Sequence, residues 1–239
     1  MTRYGWPQVV VYPVLMVVAM LAVALGGAAH TPLWAVFATE ALLAVVLVWA
    51  LMFFRDPRRE APGDETLFVA PADGRVTDIE QMAHSEFLDG PAVRIGIFLS
   101  IFDVHINRCP CSARVESIAY RKGSYLNAMN PLSAKVNESN TLTLVRTDAP
   151  SDRFVVRQIS GAIARRIVCE AREGTTLSQG QAFGMIKFGS RTELYVPTSE
   201  PIECLVRIGD PVKAGVTPLL RYGKCDDSDR KPNETRAGS

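Results

Sequence analysis

The residues best placed to do chemistry lie in one segment, Phe183-Gly184-Met185-Ile186-Lys187-Phe188-Gly189-Ser190-Arg191-Thr192-Glu193-Leu194-Tyr195-Val196-Pro197. Taken by itself it reads as a strand, a Gly-Ser turn and a second strand. A glycine followed by serine is common in turns, so the Ser190 hydroxyl alone is weak evidence of catalysis. Asp73 and His105 are the acid/base candidates, with bland alternatives: a turn cap within Ala72-Asp73-Gly74-Arg75 and a core or surface histidine. Arg108 and Arg191 offer paired donors that suit a phosphate or carboxylate and equally suit an internal salt bridge. Asn107 could donate to a substrate oxygen or hold a turn.

Other chemistries are excluded by pattern. Cys109-Pro110-Cys111 has no second cysteine pair or neighbouring histidine to complete a zinc site, so no metal is expected. The five cysteines are an odd count and read as reduced thiols in a cytoplasmic domain. The glycine-rich run from Gly174 to Gly184 lacks the Gly-Lys-Ser/Thr ending of a P-loop and the spacing of a dinucleotide fingerprint. Arg165-Arg166 is too short a basic run to imply nucleic acid when Lys plus Arg total 26 against 25 for Asp plus Glu.

These residues sit among short apolar runs separated by turns. Leu67-Phe68-Val69, Val93 to Leu99, Thr141 to Val145, Phe154-Val155-Val156, Ile186-Lys187-Phe188, Leu194-Tyr195-Val196 and Ile202 to Ile208 predict many strands. Turns are expected at Ala72-Asp73-Gly74-Arg75 and Ile208-Gly209-Asp210-Pro211, and some helix between Ile159 and Val168. The fold class is therefore mainly β (α+β), a compact domain over residues 55–220. Crossover helices for a doubly wound sheet are absent from the pattern. Residues 221–239 lose apolar periodicity and read as a flexible polar tail.

Residues 1–54 obey different rules, because no Asp, Glu, Lys or Arg occurs between Arg3 and Glu40. Two apolar segments, Trp6 to Ala29 and Leu33 to Phe54, approach the roughly 20 residues a membrane helix needs, and Gly26 to Pro32 supplies a tight connection. A hydrophobic helical hairpin is expected. A signal peptide explains only the first segment. Glu40, the single charge of the second, is expected at the interface. Arg3 before the hairpin and Arg55, Arg58 and Arg59 after it place both ends on the cytoplasmic side of a cell membrane.

Three separated segments, in order, resemble the phosphatidylserine decarboxylases. They are Ala70-Pro71-Ala72-Asp73-Gly74-Arg75-Val76, Phe102-Asp103-Val104-His105-Ile106-Asn107-Arg108-Cys109-Pro110, and Lys187-Phe188-Gly189-Ser190-Arg191 with its continuation to Pro197. Arg121 to Ala128 and Ile159 to Arg166 extend the likeness, which covers most of Arg55 to Gly215 and is closest to the short bacterial form with an N-terminal hydrophobic region. The longer form has Leu-Gly-Ser-Thr where this chain has Phe188-Gly189-Ser190-Arg191. It also has a second histidine where this chain has Arg108.

The resemblance implies self-cleavage between Gly189 and Ser190, with Ser190 becoming a covalent pyruvoyl group and with Asp73 and His105 in proton transfer. It implies a large chain 1–189 and a small chain 190–239. It further implies decarboxylation of phosphatidylserine to phosphatidylethanolamine through a Schiff base, with no metal or pyridoxal phosphate. Membrane lipid is the implied partner, nucleic acid is not, and a homo-oligomer is compatible. The residues alone also admit action on another serine-headed lipid, or a noncatalytic membrane-anchored β-domain.

Overall fold

The uncharged N-terminal stretch satisfies its backbone internally by coiling. In a computed structural model, which describes residues 2–27, 31–130, 132–162, 166–187 and 190–223 and omits the side chains of residues 6–8, it forms two packed helices. Helix α1 spans Trp6–Ala22 and continues as a wider turn over Val23–Gly27, and α2 spans Leu33–Phe53. Their long apolar faces are exposed, and by length and composition both could cross a bilayer. Glu40 lies about 10 Å along α2 from Leu33. The base of the hairpin is closed by Thr2, whose N–H donates to the Phe54 carbonyl at 2.9 Å.

The charged remainder is strand-rich. In chain order the strands are β1 (Leu67–Val69), β2 (Gly74–Met82), β3 (Ala92–Leu99), β4 (Ile106–Arg108) and β5 (Ala113–Arg121). After the short helix α3 (Ser133–Val136) come β6 (Ser139–Arg146), β7 (Arg153–Ile159), β8 (Ile167–Cys169), β9 (Thr176–Leu177), β10 (Ala182–Ile186) and β11 (Ser190–Pro197). The chain closes with β12 (Ile202–Cys204), β13 (Pro211–Val212) and β14 (Pro218–Tyr222).

Eight strands form one antiparallel sheet in the order β13-β2-β3-β11-β7-β6-β5-β9. Two three-stranded sheets, β1-β14-β12 and β4-β10-β8, complete the domain. Strand alternation feeds the core: Ile95, Ile97, Leu142, Leu144, Phe154 and Leu194 point into one apolar cluster. A second cluster joins Phe53 and Phe54 of the hairpin base to Val104, Ile106 and Met185 of the domain.

The expected class, a strand-rich α+β domain behind a helical hairpin, is the class observed. Several details differ. Strands β2 and β5 were not among the predicted runs. Ile202 to Ile208 is strand only through Cys204. Strand β14 continues through Arg221 and buried Tyr222, past the expected start of the tail, while residues 224–239 lie outside the described residues. Ile159 ends β7 and Ile167 begins β8, so helix was misplaced at both ends of that stretch, and residues 163–165 lie outside the described residues.

Strand β2 begins at Gly74, where φ is +141° and an added Cβ would sit 2.0 Å from the Phe98 carbonyl oxygen. Only glycine permits that approach of β2 to β3. Gly74→Ala is expected to lower the midpoint of thermal unfolding of the detergent-solubilised protein by roughly 5 °C or more, and an unchanged midpoint would show that the two strands can part there without cost.

Candidate active site

One edge of the large sheet, made of strand ends and not of an edge strand, carries Ser190 and Arg191. Ser190 is the first residue of β11 and pairs with Leu99 at the end of β3, while Arg191 pairs with Ile159 at the end of β7. His105 reaches the same edge by another route. It immediately precedes β4, which pairs with β10, and its carbonyl accepts from the Ile186 N–H at 3.2 Å. The strand that ends just before Ser190 thus carries His105 alongside. Gly189 and Phe188 lie outside the described residues.

Ser190 is fully buried, and its Oγ has no hydrogen-bond partner among the described residues. A buried hydroxyl without a partner forfeits hydrogen bonds that water would give it, which is unusual and needs a reason. His105 is also fully buried. Its Nδ1 lies 2.9 Å from the Asp103 carbonyl oxygen. A carbonyl can only accept, so Nδ1 carries the hydrogen and Nε2 is the basic nitrogen of the neutral ring.

The ring of Phe53, the last residue of α2, covers His105 with centroids 4.4 Å apart. Burial lowers the His105 pKa from 6.5 to about 4, against the smaller opposing effects of the Asp103 carbonyl and the Asp103 and Asp73 charges. The imidazole is therefore neutral at physiological pH. Lys187 is also lowered, by burial first and then by the Arg166 charge.

Asp73 is held from another direction. Arg59 of the linker engages both its carboxylate oxygens, one of them at 2.7 Å, and the Ala214 N–H donates to Oδ1 at 2.8 Å. Its charge reaches His105 electrostatically. Arg108 and Arg191 form internal salt bridges. Arg108 binds Asp56 at 2.7 Å and the Gly180 carbonyl at 3.0 Å, tying the linker to the domain. Arg191 crosses β3 over Gly96 to grip Asp78 through Nη2 at 2.7 and 2.8 Å, and its Nε donates to Glu193 at 2.9 Å. Asn107 donates to Thr192 and accepts from Gln158, both hydrogen bonds buried.

Sequence reasoning missed Phe53, Arg59, Gln158 and Lys187. Lys187 carried a faint signal, a lone cation between apolar neighbours in the Ser190 segment. Phe53 and Arg59 carried none, since one reads as membrane helix and the other as an orienting charge. Among the described residues no His, Cys, Asp and Glu cluster could hold a metal ion.

A buried serine hydroxyl unpartnered among the described residues and a buried, neutral histidine thus lie at the strand ends beside which two long apolar helices join the domain. The phosphatidylserine decarboxylase family model matches residues 46–219. The chain is 44% identical over 180 residues to the phosphatidylserine decarboxylase proenzyme of Carboxydothermus hydrogenoformans, covering 75% of this chain and 83% of that one. It is 42% identical over 219 residues to that of Symbiobacterium thermophilum, covering 92% and 94%. With that of Salinibacter ruber it shares 43% over 199 residues, covering 82% and 86%.

The chain belongs to the phosphatidylserine decarboxylase family. The reaction is decarboxylation of phosphatidylserine to phosphatidylethanolamine and carbon dioxide, through a Schiff base to a self-generated pyruvoyl group.

Because Phe53 keeps water from the imidazole, Phe53→Ala is expected to raise the His105 pKa from about 4 toward 6.5. Histidine titration by NMR in micelles measures this, and an unmoved resonance would mean that other groups desolvate the ring.

Proposed function

We propose that the proenzyme is cut between Gly189 and Ser190 and that Ser190 supplies the atoms of the pyruvoyl group. The observation that carries this reading is the buried Ser190 Oγ, unpartnered among the described residues, at the edge reached by His105. A satisfied hydroxyl would have to break a hydrogen bond before attacking, and this one does not. The position accordingly fits the group the family requires.

His105 accepts the Ser190 hydroxyl proton on Nε2, and Oγ adds to the carbonyl carbon of residue 189. The C–N bond breaks, the nitrogen takes a proton, and an ester joins the two chains. Removal of the Ser190 α proton then expels the carboxylate of residue 189 and leaves dehydroalanine. Its imine tautomer is hydrolysed by one water, and ammonia departs. When formed, the pyruvoyl carbonyl supplies the electron sink for decarboxylation. Ser190 and His105 are both fully buried, and His105 takes a proton from the substrate ammonium as the Schiff base forms and returns it to the carbon that carbon dioxide leaves. Asp73, clamped by Arg59, favours the imidazolium during transfer and so offsets part of the burial effect on His105.

The reading gives the chain three parts: hairpin 1–54, a catalytic domain that begins at 55, is cut at 189/190 and runs through the end of β14 at Tyr222, and a polar tail after it. The helices associate the protein with a membrane. Arg3 and the Arg55, Arg58 and Arg59 group support a cytoplasmic domain in a cell membrane.

Denaturing mass analysis of the wild type is expected to give chains 1–189 and 190–239, and borohydride with phosphatidylserine is expected to trap lipid on the small chain. Ser190→Ala is expected to remain one chain. His105→Asn and Asp73→Asn are expected to slow cleavage, decarboxylation or both by roughly 100-fold, each step being scored separately. A fully active single chain with ordinary serine at position 190 overturns the reading.

Orientation is checked independently in vesicles. Protease added outside is expected to digest the domain in inverted vesicles and spare it in right-side-out ones, and the reverse pattern puts the domain on the opposite face.

A further inference from the structure

The edge of the sheet that holds Ser190 also carries apolar side chains the catalytic reading does not use. On one side of β11, β3 runs into the turn bearing Ile101 and Phe102, and Phe102 is 69% exposed. On the other side, β7 pairs with β6 and β6 with β5, so the connection from Arg121 to Ser139 emerges at the same edge. That connection exposes Tyr125, Leu126, Met129, Leu132 and Val136, with Met129 at 66% and Leu132 at 57%. Ser190 lies between the two apolar projections.

The longer connection is arranged opposite to an ordinary surface loop. One polar side chain anchors it from beneath, and others bond to the backbone at its surface. Asn137 is fully buried, with Nδ2 donating to the Leu126 and Ser160 carbonyls and Oδ1 accepting from the Leu126 N–H, all at 2.8 Å. Asn127 and Asn130 accept from the N–H groups of Met129 and Leu132. With these backbone groups satisfied locally, entry of the outward apolar side chains into hydrocarbon exposes fewer bare backbone groups there. The connection has no Asp or Glu from Arg121 to Asn137, whereas Arg121, Lys122 and Lys135 are exposed. Basic residues around an apolar tip complement an anionic bilayer surface.

The hairpin leaves from this edge as well. Arg55, two residues after the end of α2, donates to the Phe102 carbonyl at 2.7 Å. An apolar groove of about 410 Å³ lies between α2 and Ile101-Phe102, and Phe53, which lines it, also contacts the His105 ring. We propose that the Ile101-Phe102 turn and the 122–136 connection insert into the bilayer beside the hairpin, forming a second lipid-embedded surface that encloses Ser190. A phospholipid then brings its headgroup to position 190 without leaving the membrane. This inference rests on the hairpin being membrane-attached.

The experiment is spin-label accessibility of the full chain in vesicles of phosphatidylcholine with phosphatidylglycerol. Single cysteines replace Phe102, Met129 or Leu132 in a background of Cys169→Ser, Cys204→Ser and Cys225→Ser. Cys109 and Cys111 are buried, with thiols pushed up by burial, Cys109 to about 12, so they do not label. A label at Val45 on α2 reports the hairpin, and one at exposed Ser151, at the opposite end of β7, reports water. Labels at 102, 129 and 132 are expected to collide with oxygen more than with a water-soluble nickel chelate, as at 45, with the reverse at 151. Water-like behaviour at 102, 129 and 132 beside membrane-like behaviour at 45 overturns the second surface and leaves the hairpin standing. Water-like behaviour at 45 overturns the hairpin itself. Dipolar broadening between labels at 129 or 132 would mean that a second copy covers the patch, and also overturns the proposal.

Discussion

Strand β11 is hydrogen-bonded along both sides, to β3 and to β7, and every residue from Ser190 to Val196 is buried. That double pairing is the constraint on which the site depends, because it fixes the backbone that starts at the proposed cut. Side chains reinforce it. Arg191 reaches across β3 to Asp78 of β2, and Glu193, without solvent exposure, receives Arg191 and the Tyr195 hydroxyl with Arg157 3.5 Å away. Charges buried this deeply are costly unless paired and hydrogen-bonded. Here they are, and the cost of losing a partner holds β11 to one register. Gly96 belongs to the same device: an added Cβ would lie 2.3 Å from Arg191 Nη2 and 2.4 Å from Asp78 Oδ2.

The hairpin has a second role besides anchoring. Phe53, the last residue of α2, lies against the His105 ring, so part of the apolar surrounding of His105 comes from the same helix that could enter the membrane. Arg59, a few residues on, fixes Asp73. The passage from α2 into the domain therefore arranges the environments of both proposed proton-transfer residues. Attachment and chemistry share one piece of chain.

What could be read from the sequence follows from what is local. The hairpin was visible because uncharged runs of such length have few alternative fates, and strands such as Val93 to Leu99 because their apolar residues are contiguous. Strands β2 and β5 were hidden by Asp78, Glu80, Arg114 and Glu116, charges that the pattern assigns to solvent. Asp78 is instead consumed by Arg94 and Arg191. Ser190, His105 and Asp73 stood out through ordered motifs. Phe53 against His105 and Arg59 against Asp73 did not, because each joins residues whose local sequence describes a different task. Arg108 and Arg191 had two readings of equal merit, and only geometry, in the form of Asp56 and Asp78, separates them.

Strand β11 lies inside the eight-stranded sheet, and β12 to β14 add strands to two different sheets. On the proposed cut, all four belong to the small chain, which is woven through the large one. A large chain made without them would present β3 and β7 as two bare edges facing an empty slot, a template for pairing with other chains and for aggregation. On the proposed cut, a polypeptide made whole closes its sheet before it is severed, and neither β3 nor β7 is left bare.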